Sequence, residues 1–289
     1  MRPRIPILPG ALAPFVALAL AALAQVALAQ DQPPSPPVAP APVAPAPIVP
    51  VPPPVLENTG KPMLVGFQCS EEDVRSGGLA CSEDDPCQIY LELAVTASAG
   101  NRIFAAGNIH AEAATLYSVL LGSEDSGRTW REVHERIRGA GLDHIQFIDA
   151  ENGLVNGLSP SPLPQDPFLL ITHDGGKSWR PSAIFSEPRL GSIVQVYFDG
   201  PKTGSLIIDR GLGSDGDRYE LYESQDGGDS WGIRQTSVKP LRLKSGAAAN
   251  PDWRIRADAA TKSFHIEHRG GQRWISEAAF SVKLGICKP

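Results

Sequence analysis

The chain has 289 residues, 32 of them acidic and 26 basic, for a formal net charge of −6 at pH 7. A balance on the acidic side excludes binding that rests on a nucleic-acid phosphate backbone, which takes clustered Lys and Arg. The length admits a domain with a sizeable core, and 28 Gly with 28 Pro point to many turns.

Residues 1–29 read as an export leader. Arg2 and Arg4 give it a positive start, an apolar stretch over residues 11–23 follows, and Ala27-Leu28-Ala29 supplies a small-x-small cleavage pattern before Gln30. An uncleaved membrane anchor is the alternative, and the apolar run is barely long enough for it. No Cys follows the leader directly, and it holds no twin-Arg pair. The expected destination is secreted or periplasmic, with membrane contact only if the leader stays in place. Its removal takes Arg2 and Arg4 and no acid, leaving a net charge of about −8. Residues 30–56 are a Pro/Ala/Val-rich disordered linker with almost no charge, a composition that builds no core and favours extended polyproline II. The globular domain is then 57–289.

Short runs rich in β-branched, aromatic or alternating residues, bounded by turn signals, predict strands through this domain. In chain order they are 63–68; 88–95, 102–106, 116–121 and 130–133; 144–148, 153–155, 168–172 and a run from Trp179; 192–198, 205–209, 218–223 and 231–235; 240–244, 253–257, 262–267 and 274–276; and 280–286. Helix is expected to be scarce, with turns at 70–75 and 133–138.

The third strand of each group runs into the same element, Ser/Thr-x-Asp-x-Gly-x-x-Trp. Its copies are Ser123-x-Asp125-x-Gly127-x-x-Trp130, Thr172-x-Asp174-x-Gly176-x-x-Trp179 and Ser224-x-Asp226-x-Gly228-x-x-Trp231. A fourth copy is worn: it keeps Gly271 and Trp274 but has Arg269 in place of the Asp. The copies recur roughly every 43 to 52 residues, a period that marks one blade of a propeller or similar array. Each residue type has a structural reason to be there. The carboxylate can accept from backbone N–H groups in the turn, the Gly takes a positive φ, and the Trp offers a large apolar face to the hairpin.

These segments resemble the Asp-box, or BNR repeat, of sialidases, sortilin-like receptors and photosystem-assembly-type propellers. The resemblance covers roughly residues 88–276. Ile145-Gln146-Phe147-Ile148-Asp149-Ala150-Glu151-Asn152-Gly153-Leu154-Val155 looks like the strand-turn-strand segment of the last group. The resemblance implies an all-β fold, and it implies that the box residues are scaffold on an outer hairpin rather than a ligand site. Around 230 residues at about 50 per blade make a small β-propeller of four or five blades, or an incomplete arc.

Cys69, Cys81, Cys87 and Cys287 all lie in the exported part, which reads as two disulfides. Their intervals are far from those of structural zinc sites. Of three pairings, Cys81 with Cys87 and Cys69 with Cys287 is preferred; the second would tie the first strand of the domain to the last.

The sialidase branch of the resemblance implies three arginines on a carboxylate, a Tyr/Glu nucleophile pair and an Asp acid/base, preceded by a Phe/Tyr-Arg-Ile-Pro signature. The Arg-Ile-Pro of this chain is Arg4-Ile5-Pro6, inside the leader. Arg189, Arg210, Tyr219 and Glu220 are candidates without a distinguishing context. There is no Gly-x-Ser-x-Gly elbow and no His-Glu-x-x-His pair, and the six histidines are scattered. Glu83-Asp84-Asp85, and Asp215-Gly216-Asp217 near Asp209, have oxygen ligands for calcium but read better as solvated turns. The expectation is an exported non-enzymatic binding module for a protein or glycan partner, without metal or cofactor. A sialidase-like glycoside hydrolase is the alternative, and an assembly factor is a third reading.

Overall fold

The computed structural model describes residues 53–158, 167–185, 187, 189–212, 216–243 and 252–288. The chain separates into units Met1–Pro50 and Val51–Pro289, and every strand belongs to the second. The predicted leader, and the linker up to residue 52, lie outside the described residues.

The domain opens with β1 (Leu56–Glu57) and one short helix, α1 (Glu71–Ser76). Ser70 caps α1: its hydroxyl accepts from Asp73 N, and the Asp73 carboxylate returns to Ser70 N, a reciprocal capping box. The first sheet follows with β2 (Cys87–Ala99), β3 (Arg102–His110), β4 (Thr115–Ser123) and β5 (Thr129–Glu132). The second holds β6 (Gly141–Phe147), β7 (Gly153–Leu158), β8 (Leu169–Thr172) and β9 (Arg180–Ser182). The third holds β10 (Ser192–Phe198), β11 (Gly204–Asp209), β12 (Tyr219–Ser224) and β13 (Gly232–Ser237). The fourth holds β14 (Trp253–Asp258), β15 (Ser263–Gly270) and β16 (Arg273–Ser281), after which β17 (Lys283–Cys287) ends the fold. All strand ladders are antiparallel and, apart from β1 and β17 at the two edges of the first sheet, neighbours follow chain order, as in propeller blades.

Hydrophobic seams join the sheets. Ile103, Ala105, Val119 and Leu121 of the first sheet pack with Ile266, Ala278 and Phe280 of the fourth. Phe104, Ala106 and Leu120, on the opposite face of the first sheet, pack with Leu142, Ile145, Val155 and Leu170 of the second. Leu154 and Ile171 of the second pack with Ile193, Phe198, Leu206, Ile208 and Tyr222 of the third. The first sheet is thus buried on both faces, which is why β3 reads Ile-Phe-Ala-Ala rather than alternating. Among the described residues no hydrophobic cluster joins the third sheet to the fourth. The architecture is a four-bladed propeller arc in the order fourth, first, second, third.

Both chain ends fasten the fourth blade to the first. β1 pairs with β5, the outer strand of the first blade, and Met63 forms a parallel bridge to Phe280 on β16. β17 adds to the inner edge of the first blade, beside β2. Cys69 is bonded to Cys287 and Cys81 to Cys87, with Cα separations of 5.3 and 5.2 Å.

Four local expectations need correction. Residues 240–243 form no strand, because no ladder partner reaches them, and Lys244 lies outside the described residues. The expected turn at 133–138 is extended chain: Ser118 N donates to Ile137 O, and Arg138 bridges to Tyr117. The run 63–68 pairs only at Met63. β2 also runs past the predicted end to Ala99, through a bulge between Leu93 and Val95. Gly107 faces that bulge, and a Cβ there would lie 1.9 Å from Glu92 O.

Candidate functional site

The three intact Trp turns share one hydrogen-bond pattern. The Ser or Thr hydroxyl donates to the Asp carboxylate, at 2.9 Å for Ser123–Asp125 and 2.8 Å for Thr172–Asp174 and Ser224–Asp226. The same hydroxyl accepts from the N–H of Gly127, Gly176 or Gly228, each at 2.8 Å. The carboxylate then takes both the N–H and the hydroxyl of Thr129, Ser178 or Ser230. Burial works to raise the Asp125 and Asp174 carboxyls, but these hydrogen bonds more than offset it and hold both at about 2. The Ser230 hydroxyl and N–H do the same for Asp226, also at about 2. The Ser or Thr hydroxyl and the Asp carboxylate of each turn are thus engaged within the turn itself.

What the turns do is dock on the preceding blade. Trp130 meets Phe280 of the fourth blade edge-on at 5.3 Å, and Trp179 meets Phe104 of the first at 6.0 Å. Trp231 Nε1 donates to Ser182 Oγ of the second at 3.0 Å. Arg102 Nη1 donates to Gly175 O at 2.7 Å, and a Cβ on Gly176 would lie 2.4 Å from Phe104.

The sialidase candidates divide. Glu220 Oε1 accepts from Arg189 at 3.1 Å and from Arg210 at 3.0 Å, and Glu220 Oε2 accepts from Tyr222 at 2.8 Å. The tyrosine brought to the glutamate is therefore Tyr222, while Tyr219 lies under the Arg218 guanidinium. Residues two apart on β12 share a face, so the Glu220–Tyr222 pairing was available from the sequence. The Glu–Tyr pair is buried, with Glu220 5% and Tyr222 4% exposed and Phe185 edge-on to the ring, while the Arg189 side chain is 39% exposed. Burial, then the hydrogen bond to Glu220, pushes the Tyr222 phenol up to about 12, away from a nucleophile's range. Both arginines donate to Glu220.

Among the described residues no group of three or more His, Cys, Asp or Glu is placed to hold a metal. Asp209 is taken by Arg218 at 2.7 Å, and Asp215 lies outside the described residues.

Among the described residues, a cleft of about 700 Å3 opens beside α1 on the first blade. Its walls include Asp73, Ser76, Glu92, Asn108, His110, Glu112 and Arg138. Asp73 anchors it. Burial would raise this carboxyl, but the Tyr117 hydroxyl at 2.5 Å, the Ser70 N–H and hydroxyl, and Arg138 at 3.0 Å hold it below the usual range. Arg138 also lies over the Tyr117 ring at 5.2 Å. Asn108 Nδ2 donates to Glu92 at 3.3 Å, while Asn108 Oδ1 is buried without a partner. Sequence reasoning named none of these side chains. Ser70-x-x-Asp73 is a legible capping box, but Tyr117 and Arg138 come to it from 44 and 65 residues away.

The class these features define is a β-propeller arc with an open polar cleft on its first blade. No family profile and no curated protein matches the chain. Among solved structures it is similar to YCF48 bound to D1 peptide, with a TM-score of 0.38 and 15% identity over 74% of this chain. The chain spans 60% of that structure's length. A GH74 xyloglucanase from Xanthomonas campestris gives a TM-score of 0.34 and 24% identity, over 46% of this chain and 18% of the other. A Penicillium chrysogenum alpha-L-arabinanase complexed with arabinobiose gives 0.31 and 14%, over 68% and 62%. The propeller assignment rests on the sheets and their seams, not on these overlays.

Proposed function

We propose that this chain is an exported, non-enzymatic binding module of the Asp-box type, whose partner is a protein held at the cleft beside α1. The leader carries it out of the cytoplasm, the disulfides suit the oxidising space it reaches, and the linker sets the arc away from its point of export. The carrying observation is a division of labour among polar groups. The set with a hydrolase's residue types, Glu220, Tyr222, Arg189 and Arg210, is tied together by hydrogen bonds, with Glu220 and Tyr222 buried. The cleft is open, and Glu92, which accepts from the Asn108 amide at 3.3 Å, and Glu112 are exposed on its rim. A protein partner is favoured over a glycan because no Trp, Tyr or Phe lines the cleft to stack on a sugar ring.

The test immobilises the exported chain and a Glu92→Lys/Glu112→Lys variant against proteins of the same compartment. A protein retained by the first and lost by the second, at equal melting temperature, supports the reading. Equal retention removes the cleft from it. Release of sugar from a sialoside, abolished by Glu220→Gln in a protein that still folds, would replace it with the hydrolase reading.

A further inference from the structure

We infer that the inner edge of the fourth blade takes up an extended segment of a partner protein as an added strand, one with acidic residues two apart and an apolar residue between them. This surface is separate from the cleft and does not rest on it. In the first three blades the Trp turn leads into the fourth strand, β5, β9 or β13, whereas Trp274 lies on β16, the third of three. The fourth blade is therefore short of its innermost strand, and β14 is its inner edge. Residues 240–243 do not fill that place: Leu243 N donates to Gln195 Oε1 on β10 at 2.9 Å, which holds this stretch on the third blade.

The ladder between β14 and β15 fixes which groups of the edge are open. Arg269 N donates to Asp252 O, and hydrogen-bonded pairs alternate along an antiparallel ladder, so Arg254, Arg256 and Asp258 turn N–H and C=O toward β15. Trp253, Ile255 and Ala257 turn theirs outward, and among the described residues none of the three has a backbone partner there. Side chains divide in the same way. Trp253 and Ile255 pack against the core shared with the first blade. Arg254 and Arg256 stand on the opposite face, where both donate to the buried Glu267, at 2.8 and 2.7 Å, and Arg256 also to Asp258 at 3.1 Å. The two arginine side chains stay 42% and 40% exposed, and Arg254 Nη1 and Arg256 Nη2 are unengaged among the described residues.

A strand laid antiparallel on this edge bonds to Trp253, Ile255 and Ala257, and its residues opposite Arg254 and Arg256 form the closer, non-hydrogen-bonded pairs, about 4.5 Å apart at Cα. Carboxylates at those two positions meet the open guanidinium N–H groups. The residue between them, opposite Ile255, faces the first blade and is apolar. A second copy does not fit, because β14 paired with itself about Ile255 sets Arg254 of one chain opposite Arg256 of the other, and like charges directly opposite destabilise. The linker does not fit either: residues 32–52 hold no acid, and their prolines lack the N–H that a ladder takes.

The experiment titrates the exported chain by calorimetry, at low and high salt, with capped peptides alternating Val and Glu. The Glu peptide is expected to bind, its Gln counterpart about tenfold more weakly, with salt narrowing the difference. N-methylation of the Val amides, which face β14, should abolish binding, while N-methylation of the Glu amides, which face away, should leave it. Ala257→Pro removes an outward N–H and no β14–β15 bond, so it should weaken the Glu peptide by about tenfold at an unchanged melting temperature. Glu92→Lys/Glu112→Lys should leave the peptide affinity as it is. Equal binding of the two N-methylated peptides overturns the added strand, and this comparison needs no change to the chain, so it holds even where the Pro variant unfolds. Equal binding of the Glu and Gln peptides overturns the acidic partner. Loss of binding in the cleft variant, or no binding of any peptide, overturns the site, while capture of a protein through the cleft would stand or fall separately.

Discussion

Asp174 takes the Thr172 hydroxyl through Oδ1, and receives the N–H and hydroxyl of Ser178 at 3.0 and 2.6 Å. Asp174→Ala strands those donors, so it should cost about 1–3 kcal/mol of stability, read as a lower urea midpoint at unchanged slope, with ligand binding retained. Selective loss of binding at an unchanged midpoint would contradict the docking role of the turn. The same carboxylates set an acid limit. Asp125, Asp174 and Asp226 are each depressed from an ordinary 3.8 to about 2. A depressed carboxyl stabilises the fold fully above its unfolded pKa, and that contribution fades as pH falls through the folded value. Stability should therefore drop between about pH 4 and pH 2, and the drop should shrink in the Asp174→Ala variant when melting is followed against pH.

At the scale of the hairpin, the worn copy differs in kind from its siblings. β15 and β16 run on to pair Gly270 with Arg273, leaving a two-residue turn at Gly271-Gln272 where the others build an Asp-centred loop. Trp274 is covered by Arg254 and Arg269, whose guanidinium carbons lie 4.1 and 5.0 Å from its ring centre. An intact turn docks its blade on the preceding one, and the copy that lost its Asp belongs to the blade that, among the described residues, has no hydrophobic seam to its predecessor. The two disulfides differ in reach in the same way. Cys69–Cys287 spans 218 residues and Cys81–Cys87 spans 6. In the chain-entropy account they contribute roughly 5 and about 2 kcal/mol. Replacing Cys69 and Cys287 together by Ser should lower the melting temperature more than replacing Cys81 and Cys87 together. The reverse order would place the strain of the fold elsewhere than the seam between the fourth and first blades.

For the whole molecule, the first blade is the keystone. It is covered by the fourth blade on one face and the second on the other, and both chain ends add strands to it. The third blade is buried against the second through one face, and β13 is exposed along most of its length. Amide exchange should accordingly be slowest in β3 and β4 and much faster in β13 and β14. Uniform protection across the blades would mean that the arc closes on itself in solution. The cleft lies on the keystone blade, so its walls are held by the most protected part of the fold.

Much of this was legible in the chain itself. The strands 192–198 and 253–257, the Trp turns and the capping residue Ser70 follow from local chemistry: alternation, a short polar side chain over backbone N–H groups, a Gly where φ is positive. Residues 240–243 and 133–138 misled because their local pattern had no ladder partner, or had a distant one. The cleft was not legible at all. Asp73 looks like a helix-cap residue, and Tyr117 and Arg138 look like an ordinary strand and loop pair, until the fold brings them within 3.0 Å of one carboxylate. The Glu220 cluster shows the converse: residues with the types of a catalytic set were visible, and only the fold showed Glu220 and Tyr222 buried and hydrogen-bonded to each other. The sequence by itself determined the repeat, the all-β class and the turn geometry, because those depend on contacts between residues a few positions apart. Only the tertiary structure decided which blades touch, which polar groups are sealed and which stay open, because those depend on side chains that meet across tens to hundreds of residues.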